Sequence, residues 1–401
     1  MFRLSTAAAF SSRLLRFGIV TLLATACAFS TLLLGFADLE FRRGDQIGLR
    51  RALRIAPLDA GYLAKWSLVT GNAAEARQSL QEAVASDPWY SWAWIQLGLA
   101  QEAAGQASLA EHDLLRAAAV DRGFDPRWAL CNYYFRRNAW PSFWGWTRAA
   151  LSNDSTDSVP VLRLAWRATP DVRVILDRAV PPNDTARRKL LKFLIAEHPL
   201  GADFSAISTL LPATTPDDAP MLNSYANKLL DAREITHAVE VWNSMCDRHL
   251  LPFARIQSGS SNLLTNAAFA SPPSNWAFDW HFIPAEGITA ENHAVGSFAL
   301  AFSGNEPEHW RILTQRVAVQ AQKRYEFKNS GTPPASGLAW KILEAQKTLA
   351  ESSHRTDGEI QFVPSTSLVT IAFDYDRPRG ETRLAGQITI SGLSLHNLET
   401  R

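Results

Sequence analysis

Cysteine is nearly missing from this chain, with 3 in 401 residues. That is too few to staple a small disulfide scaffold or to build a Cys-rich zinc module. A surplus of charge is missing as well. Lys and Arg number 40 against 39 Asp and Glu, a net charge of +1. A general nucleic-acid binder carries a basic excess that neutralises phosphates, so nucleic acid is not an expected partner. The sequence has no G-x-x-x-x-G-K-[ST], no G-x-G-x-x-G and no G-x-S-x-G, which removes the common phosphate cradles and the nucleophile elbow. Its 9 histidines are dispersed, with none in H-x-H or H-E-x-x-H spacing, so no metal site is expected, and no cofactor. Acid pairs for glycoside hydrolysis need only meet in space, but no pair stands out, and the expectation is a protein that is not an enzyme. What is present is apolar: 47% hydrophobic residues and 14 Trp. That composition belongs to folded domains, and the length allows two or three of them.

Residues 17–36 read FGIVTLLATACAFSTLLLGF, an uncharged run of 20. As a helix it is about 30 Å long, the thickness of a bilayer core. Arg3, Arg13 and Arg16 precede it, and Asp38 and Glu40 follow. The positive-inside rule then leaves the N-terminus in the cytoplasm and sends everything after about residue 38 across the membrane. Two other readings stay open. A cleaved signal peptide has small residues at Ala24-Thr25-Ala26 and at Gly35-Phe36-Ala37, although the apolar run is longer than a usual signal core. A lipid anchor at Cys27 lacks the Leu expected three positions earlier, where Ala24 stands. All three place the bulk of the chain outside the cytoplasm.

An offset of 34 residues aligns Leu63 with Leu97, Ala64 with Gly98, Gly71 with Gly105, Ala76 with Ala110, Leu80 with Leu114 and Ala83 with Ala117. A period of this length marks a helical array. Small residues at Gly98 and Ala110 let the two helices of one repeat approach closely, while Leu97, Leu114 and Ala117 fill the seam between them. Trp94, Leu97, Gly98, Ala110, Leu114 and Ala117 also fall at the signature positions of the tetratricopeptide repeat, and this segment resembles that family. Upstream, Arg51–Pro57 reads as the end of a second helix whose partner is the membrane helix. Downstream, Trp128 keeps the first signature position, but Cys131, Asn132 and Trp144 replace the expected Leu, Gly and Ala, so this repeat must pack differently. Residues 219–248 return to the spacing with Tyr225, Ala226, Ala238, Trp242 and Met245.

Arrays of this kind curve and hold another protein on the inner wall. The first-helix residues that point away from the seam are Lys65, Leu68, Trp92, Ile95, Leu99 and Glu102, followed by Tyr133 and Arg136. Of these, Lys65, Trp92, Ile95, Glu102, Tyr133 and Arg136 are the candidate partner-binding residues. The alternative is that the aromatics cover neighbouring repeats. Trp140, Trp144 and Trp146 cannot all face one side of a helix, so at least one is expected to meet solvent, membrane or a partner.

Composition shifts at 257–262 (QSGSSN). Beyond it, short alternating runs are separated by Gly, Pro, Ser and Asn: 298–302, 311–319, 325–327, 338–343, 368–373 and 387–393. That pattern predicts a β-sandwich. Asn262-Leu263-Leu264 with Asn266 and Phe269, then Gln315 before Val317, Tyr325-Glu326-Phe327 and the closing 386–395 resemble the carbohydrate-binding, galactose-binding-like jelly rolls. The resemblance implies a sugar stacked on an aromatic face beside a few polar groups. Its candidate glycan-binding residues are Trp280, His281, Trp310, Arg311 and Trp340. Trp276, Phe278 and Trp280 share one face if extended, and the alternative for these is core. The closing strand has Ser391-Gly392 where the family often carries a calcium-supporting Asp. Asp374 and Asp376 are a further cation candidate, set against a solvated strand end with Arg377 and Arg379. Cys131 and Cys246 are a candidate disulfide that only geometry decides.

The reading is therefore multidomain. Residues 1–38 form a cytoplasmic stub and transmembrane helix, 39–257 an α-solenoid of tetratricopeptide-like helix pairs, and 258–401 an all-β jelly-roll sandwich. The order resembles bacterial proteins that serve surface polysaccharide. The resemblance implies a single-pass inner-membrane scaffold, anchored through 17–36, with a protein partner in the cell envelope and a polysaccharide as second ligand; the alternatives are a structural assembly factor whose sandwich binds no sugar, and a glycan-processing enzyme.

Overall fold

The computed structural model describes residues 4–152, 157–291, 296–329, 336–352 and 359–399. Contacts divide the chain into two compact units. One runs to Thr169 and takes in Val174–Pro181; the other holds Pro170–Arg173 and everything from Pro182 onward.

The first unit opens with α1 (Leu4–Arg42). Within it, Gly18–Arg42 holds a window long and apolar enough to cross a membrane, and none of that window is buried in the protein. The helix is compatible with a single-pass anchor or a signal sequence. It is followed by α2 (Gln46–Ile55), α3 (Ala60–Val69), α4 (Ala73–Ser86), α5 (Ser91–Ala103), α6 (Ala107–Val120), α7 (Phe124–Arg136), α8 (Trp140–Leu151) and α9 (Val159–Ala168), while α10 (Val172–Arg178) is divided between the two units. Each of α1/α2, α3/α4, α5/α6 and α7/α8 packs as a pair, and each pair packs on the next. Asp45, Asp59 and Asn72 cap α2, α3 and α4 by accepting hydrogen bonds from free backbone N–H groups. The turn inside each hairpin needs a left-handed residue, and Gly71 (φ +71°), Gly105 (φ +76°) and Asn138 (φ 55°) supply it one repeat after another.

The seam is as tight as its small residues imply. A Cβ placed on Gly98 would stand 2.7 Å from Leu114 Cγ and 3.1 Å from the Ala110 carbonyl oxygen. Ala110, Leu114 and Ala117 are fully buried. The end of α1 is the partner of α2, with Ala37 and Phe41 in one apolar cluster with Ala52 and Tyr62. In the α7/α8 pair Asn132 donates its amide to the Trp128 carbonyl at 2.8 Å, within its own helix. Cys131, Phe143 and Trp144 are buried in that pair. Trp140 is the most open of the three nearby tryptophans.

The second unit carries α11 (Asp184–Glu197), α12 (Phe204–Ser208), α13 (Ala219–Asp231) and α14 (Ile235–Asp247), with two short 3-10 turns between α12 and α13. Tyr225, Ala226, Ala238, Trp242 and Met245 are buried in the α13/α14 hairpin. Eleven strands follow among the described residues: β1 (His281–Phe282), β2 (Ile288–Glu291), β3 (Ser297–Ser303), β4 (His309–Ala318), β5 (Tyr325–Asn329), β6 (Leu338–Glu344), β7 (Lys347–Glu351), β8 (Glu359–Phe362), β9 (Leu368–Asp376), β10 (Ala385–Ser391) and β11 (Leu393–Asn397). They form a five-stranded sheet, β1-β4-β9-β6-β7, and two three-stranded sheets, β10-β3-β2 and β11-β5-β8. Leu300, Phe327, Trp340 and Ile371 belong to one apolar core fed by all three sheets.

The change from helix to strand falls between Asp247 and His281, the interval that holds the expected 257/258 boundary. The grouping of contacts runs elsewhere, because α11–α14 cluster with the sheets. The reason is a polar stripe on α13. Asn223 accepts from the Ala277 N–H at 2.8 Å. Asn227 accepts from the Arg316 guanidinium, and Asp231 pairs with the same side chain at 3.2 Å. Residues at i, i+4 and i+8 lie on one helix face, and here that face grips the sheet region. Asn262 ties the start of that region to its last strand: its amide donates to the Leu393 carbonyl at 3.1 Å and its oxygen accepts from the Leu395 N–H at 3.0 Å.

Candidate protein-binding groove

First helices α5 and α7 of successive pairs lie side by side and leave an open cavity of about 350 Å³. Trp92, Ile95 and Leu99 come from α5, and Trp128, Asn132 and Arg136 from α7. Its lining mixes apolar and polar groups, with Ala129, Gln96 and Asp125 completing it. Leu99 is exposed although it directly follows buried Leu97 and Gly98 in the middle of α5. At the mouth, Arg136 makes two contacts to the Glu102 carboxylate, at 3.0 and 2.5 Å.

Four of the six candidate partner-binding residues therefore gather at one place: Trp92, Ile95, Glu102 and Arg136. Lys65 is exposed on α3 but does not line the cavity. Tyr133 is buried, and its hydroxyl donates to the Ala107 carbonyl at 2.8 Å. It is a packing residue whose phenol is pushed up by burial first and by nearby carboxylates after that. Trp128, Asn132, Gln96 and Asp125 also line the cavity, beyond the residues the sequence points to as wall. Trp128 and Asn132 were legible only as repeat positions. The signal that finds them is the next first helix, read on the face opposite its seam.

The candidate glycan-binding residues do not form a platform. Trp280 is 0% exposed and Trp340 3%. Both sit in the shared core, with ring centroids 6.0 Å apart. A stacking site needs an open ring face, so these two are core residues. The run 276–282 is not extended as a whole. A turn closes between the Asp279 N–H and the Trp276 carbonyl at 2.9 Å. It sends Phe278 against Trp242 of α14 and Trp280 against Phe269. His281 lies over the same turn, 2.9 Å from the Trp276 carbonyl, and its imidazole is held below its usual range by burial. Trp310 is half-buried and donates its indole N–H to the Ile283 carbonyl at 2.8 Å.

Arg311 is committed to an ion pair with Asp374, at 2.9 Å. Lys341 bridges Asp374 at 3.4 Å and Asp376 at 2.7 Å, and His309 reaches Asp376 at 2.8 Å. The groups beside the acid pair are thus Arg311, Lys341 and the His309 ring from neighbouring strands, while Arg377 pairs with Glu308. Among the described residues no group of three His, Cys, Asp or Glu side chains is placed to hold a metal. Cys131 and Cys246 are buried free thiols rather than a disulfide, and desolvation pushes both up to about 12. A second cavity, about 270 Å³, lies in the second unit between Ile235 and Val239 of α14 and Leu263, Val319 and Tyr325 of the sheet region.

The fold and the groove define a helical-repeat protein made of helix hairpins at a 34-residue period, joined to a sheet-rich region. No protein-family model matches the chain, and no curated protein matches it. Solved structures similar to it include PilW, a type IV pilus biogenesis factor, at 20% identity over 52% of this chain and 94% of that one, with a TM-score of 0.32. A tetratricopeptide repeat protein from Parabacteroides merdae is similar at 14% identity over 46% of this chain and 76% of its own, TM-score 0.29. YrrB, a tetratricopeptide protein with an unusual peptide-binding site, is similar at 12% identity over 52% and 94%, TM-score 0.24. These scores are too low to argue from, and the reading of the repeat rests on the hairpins themselves.

Proposed function

We propose that this chain is a membrane-anchored scaffold on the outer side of the inner membrane. Helix α1 is the anchor, and the α5/α7 groove holds an apolar segment of an envelope protein. The observation that carries the reading is the groove: exposed Leu99 between Trp92 and Trp128, rimmed by the Arg136–Glu102 pair. Aromatic and aliphatic side chains together with Arg are what protein contacts are enriched in. Arg3, Arg13 and Arg16 ahead of the apolar run, against acids after it, support the outward orientation. A photo-crosslinker at Leu99 in the full chain, used in its native membrane, tests this. A discrete adduct that is lost on Trp92→Ala and Trp128→Ala supports the groove; an adduct indifferent to both removes it. A reporter enzyme fused at the C-terminus that is active only in the cytosol removes the orientation.

The sheet region fits a jelly roll in which Asn262 ties the first and last segments. A polysaccharide contact there is favoured by one observation: Trp310 keeps part of its ring open beside exposed His309. Loss of glycan retention on Trp310→Ala supports it, and no retention by the intact chain ends it.

A further inference from the structure

Trp89 is 75% exposed, the most open large apolar side chain among the described residues, and Leu58 is 70% exposed. Neither lies in the groove. Leu58 sits in the turn from α2 to α3 and Trp89 in the turn from α4 to α5, each directly after an exposed proline, Pro57 or Pro88. The two turns touch, because the Ser86 hydroxyl donates to the Leu58 carbonyl.

The position of this edge follows from α1. Phe36 closes the apolar run, and Glu40 stands about 6 Å further along the helix axis. Helix α2 begins at the level of Glu40: a Cβ on Gly48 would collide with the Glu40 carbonyl, and Arg51 pairs with the Glu40 carboxylate at 3.4 Å. It then runs back along α1, with Ala52 in the cluster of Ala37. From Gly48 to Ile55 it descends about 10 Å, which brings the α2–α3 turn to within about 4 Å of the level of Phe36. In a chain anchored by α1, that level is the boundary between hydrocarbon and headgroups. Every second-to-first-helix turn of a hairpin array lies on the same edge, so the α4–α5 turn faces the same way.

We infer that the edge carrying Leu58 and Trp89 rests in the lipid headgroup layer of the bilayer that α1 crosses, with Arg54 at phosphate level. This inference rests on the anchor reading of α1. Trp is the side chain that favours the interface, with an apolar ring and a polar N–H. The acids in the turns stay exposed but are held by the local backbone: Asp59 accepts from the Tyr62 N–H and Asp87 from the Trp89 N–H, each at 2.9 Å. The third turn of this kind presents Arg122 and no large exposed apolar group, so the contact belongs to the first two turns. It fixes the array against the membrane instead of leaving it to swing on α1.

The test uses the full chain carrying Cys27→Ser, in phosphatidylcholine vesicles that contain headgroup-level spin-labelled lipid. Cys131 and Cys246 are buried, so one added cysteine takes the fluorophore. Leu58→Cys and Trp89→Cys report the edge, Ala74→Cys and Gln106→Cys the opposite edge, and Leu32→Cys the anchor. The expected result is emission quenched roughly twofold or more at 58 and 89 and unchanged at 74 and 106. Quenching at 32 with none at 58 and 89 overturns the inference and leaves the anchor standing. No quenching at 32 removes the anchor and the inference with it. Shielding of 58 and 89 from aqueous iodide without lipid quenching means that protein covers the edge, and this also overturns it.

Discussion

Arg136 and Glu102 stand one repeat apart, 34 residues, and close on each other across the mouth of the groove at 3.0 and 2.5 Å. Both are at the surface, where such a pair contributes about 0.2–1 kcal/mol to stability. Its larger effect is to set the distance between α5 and α7. Arg136→Ala should therefore lower the unfolding free energy of the full chain in urea by less than about 1 kcal/mol, while weakening crosslinking from Leu99 severalfold. A loss of several kcal/mol would make the pair structural.

Two effects compete at Gly98. In a helix interior Ala is favoured over Gly by about 1 kcal/mol. Here the added methyl would sit 2.7 Å from Leu114 Cγ and 3.1 Å from a backbone oxygen that cannot swing away. Overpacking of a close seam costs about 1–3 kcal/mol. The clash should win, and Gly98→Ala should destabilise by about 1–2 kcal/mol in chemical unfolding. The same change at Gly145, which has open space around it, should be neutral or stabilising.

What could be read from the sequence was whatever a local period encodes. Gly98 and Ala110 announce the helix seam, and the alternating runs announce most strands. The burial of Trp280 and Trp340 was not legible, because a tryptophan that fills a core and one that stacks on a sugar look alike until the opposing sheet is in place. The turn at Trp276–Asp279 was hidden for a similar reason: the run alternates as a strand does, and α14 draws Phe278 away with Trp242. The attachment of α13 to the sheets depends on Asn223, Asn227 and Asp231, ordinary solvent-face residues whose partners lie 54 to 89 positions away. Lys341, which pairs with both Asp374 and Asp376, also lies on another strand, 35 positions from Asp376.

Gln315 is fully buried, and its amide donates to the carbonyls of Thr265 at 2.6 Å and Phe278 at 3.0 Å. One side chain thus satisfies two loop carbonyls that no strand serves. Leu fits the volume but strands both acceptors, each at about 1–3 kcal/mol. Gln315→Leu should cost about 2–4 kcal/mol, read as a lower melting temperature. A melting temperature equal to the parent's would mean that water replaces the amide.

Asp218 is the group from which acid sensitivity is expected. Burial alone raises a carboxyl, but here the Lys192 ammonium at 2.7 Å and the Thr215 N–H and hydroxyl at 2.9 and 3.0 Å outweigh it. The carboxyl is held below its ordinary value. With the folded value below the unfolded one, the stabilisation is complete above the unfolded value of about 4 and is lost as pH falls through the folded one. Asp218→Asn removes the charge and should cost about 1–3 kcal/mol at neutral pH. It should also flatten the dependence, so the gap between variant and parent narrows as pH drops from 5 toward 2. Urea midpoints at a series of pH values read this directly, and a gap that stays constant into acid would assign the sensitivity to another carboxylate.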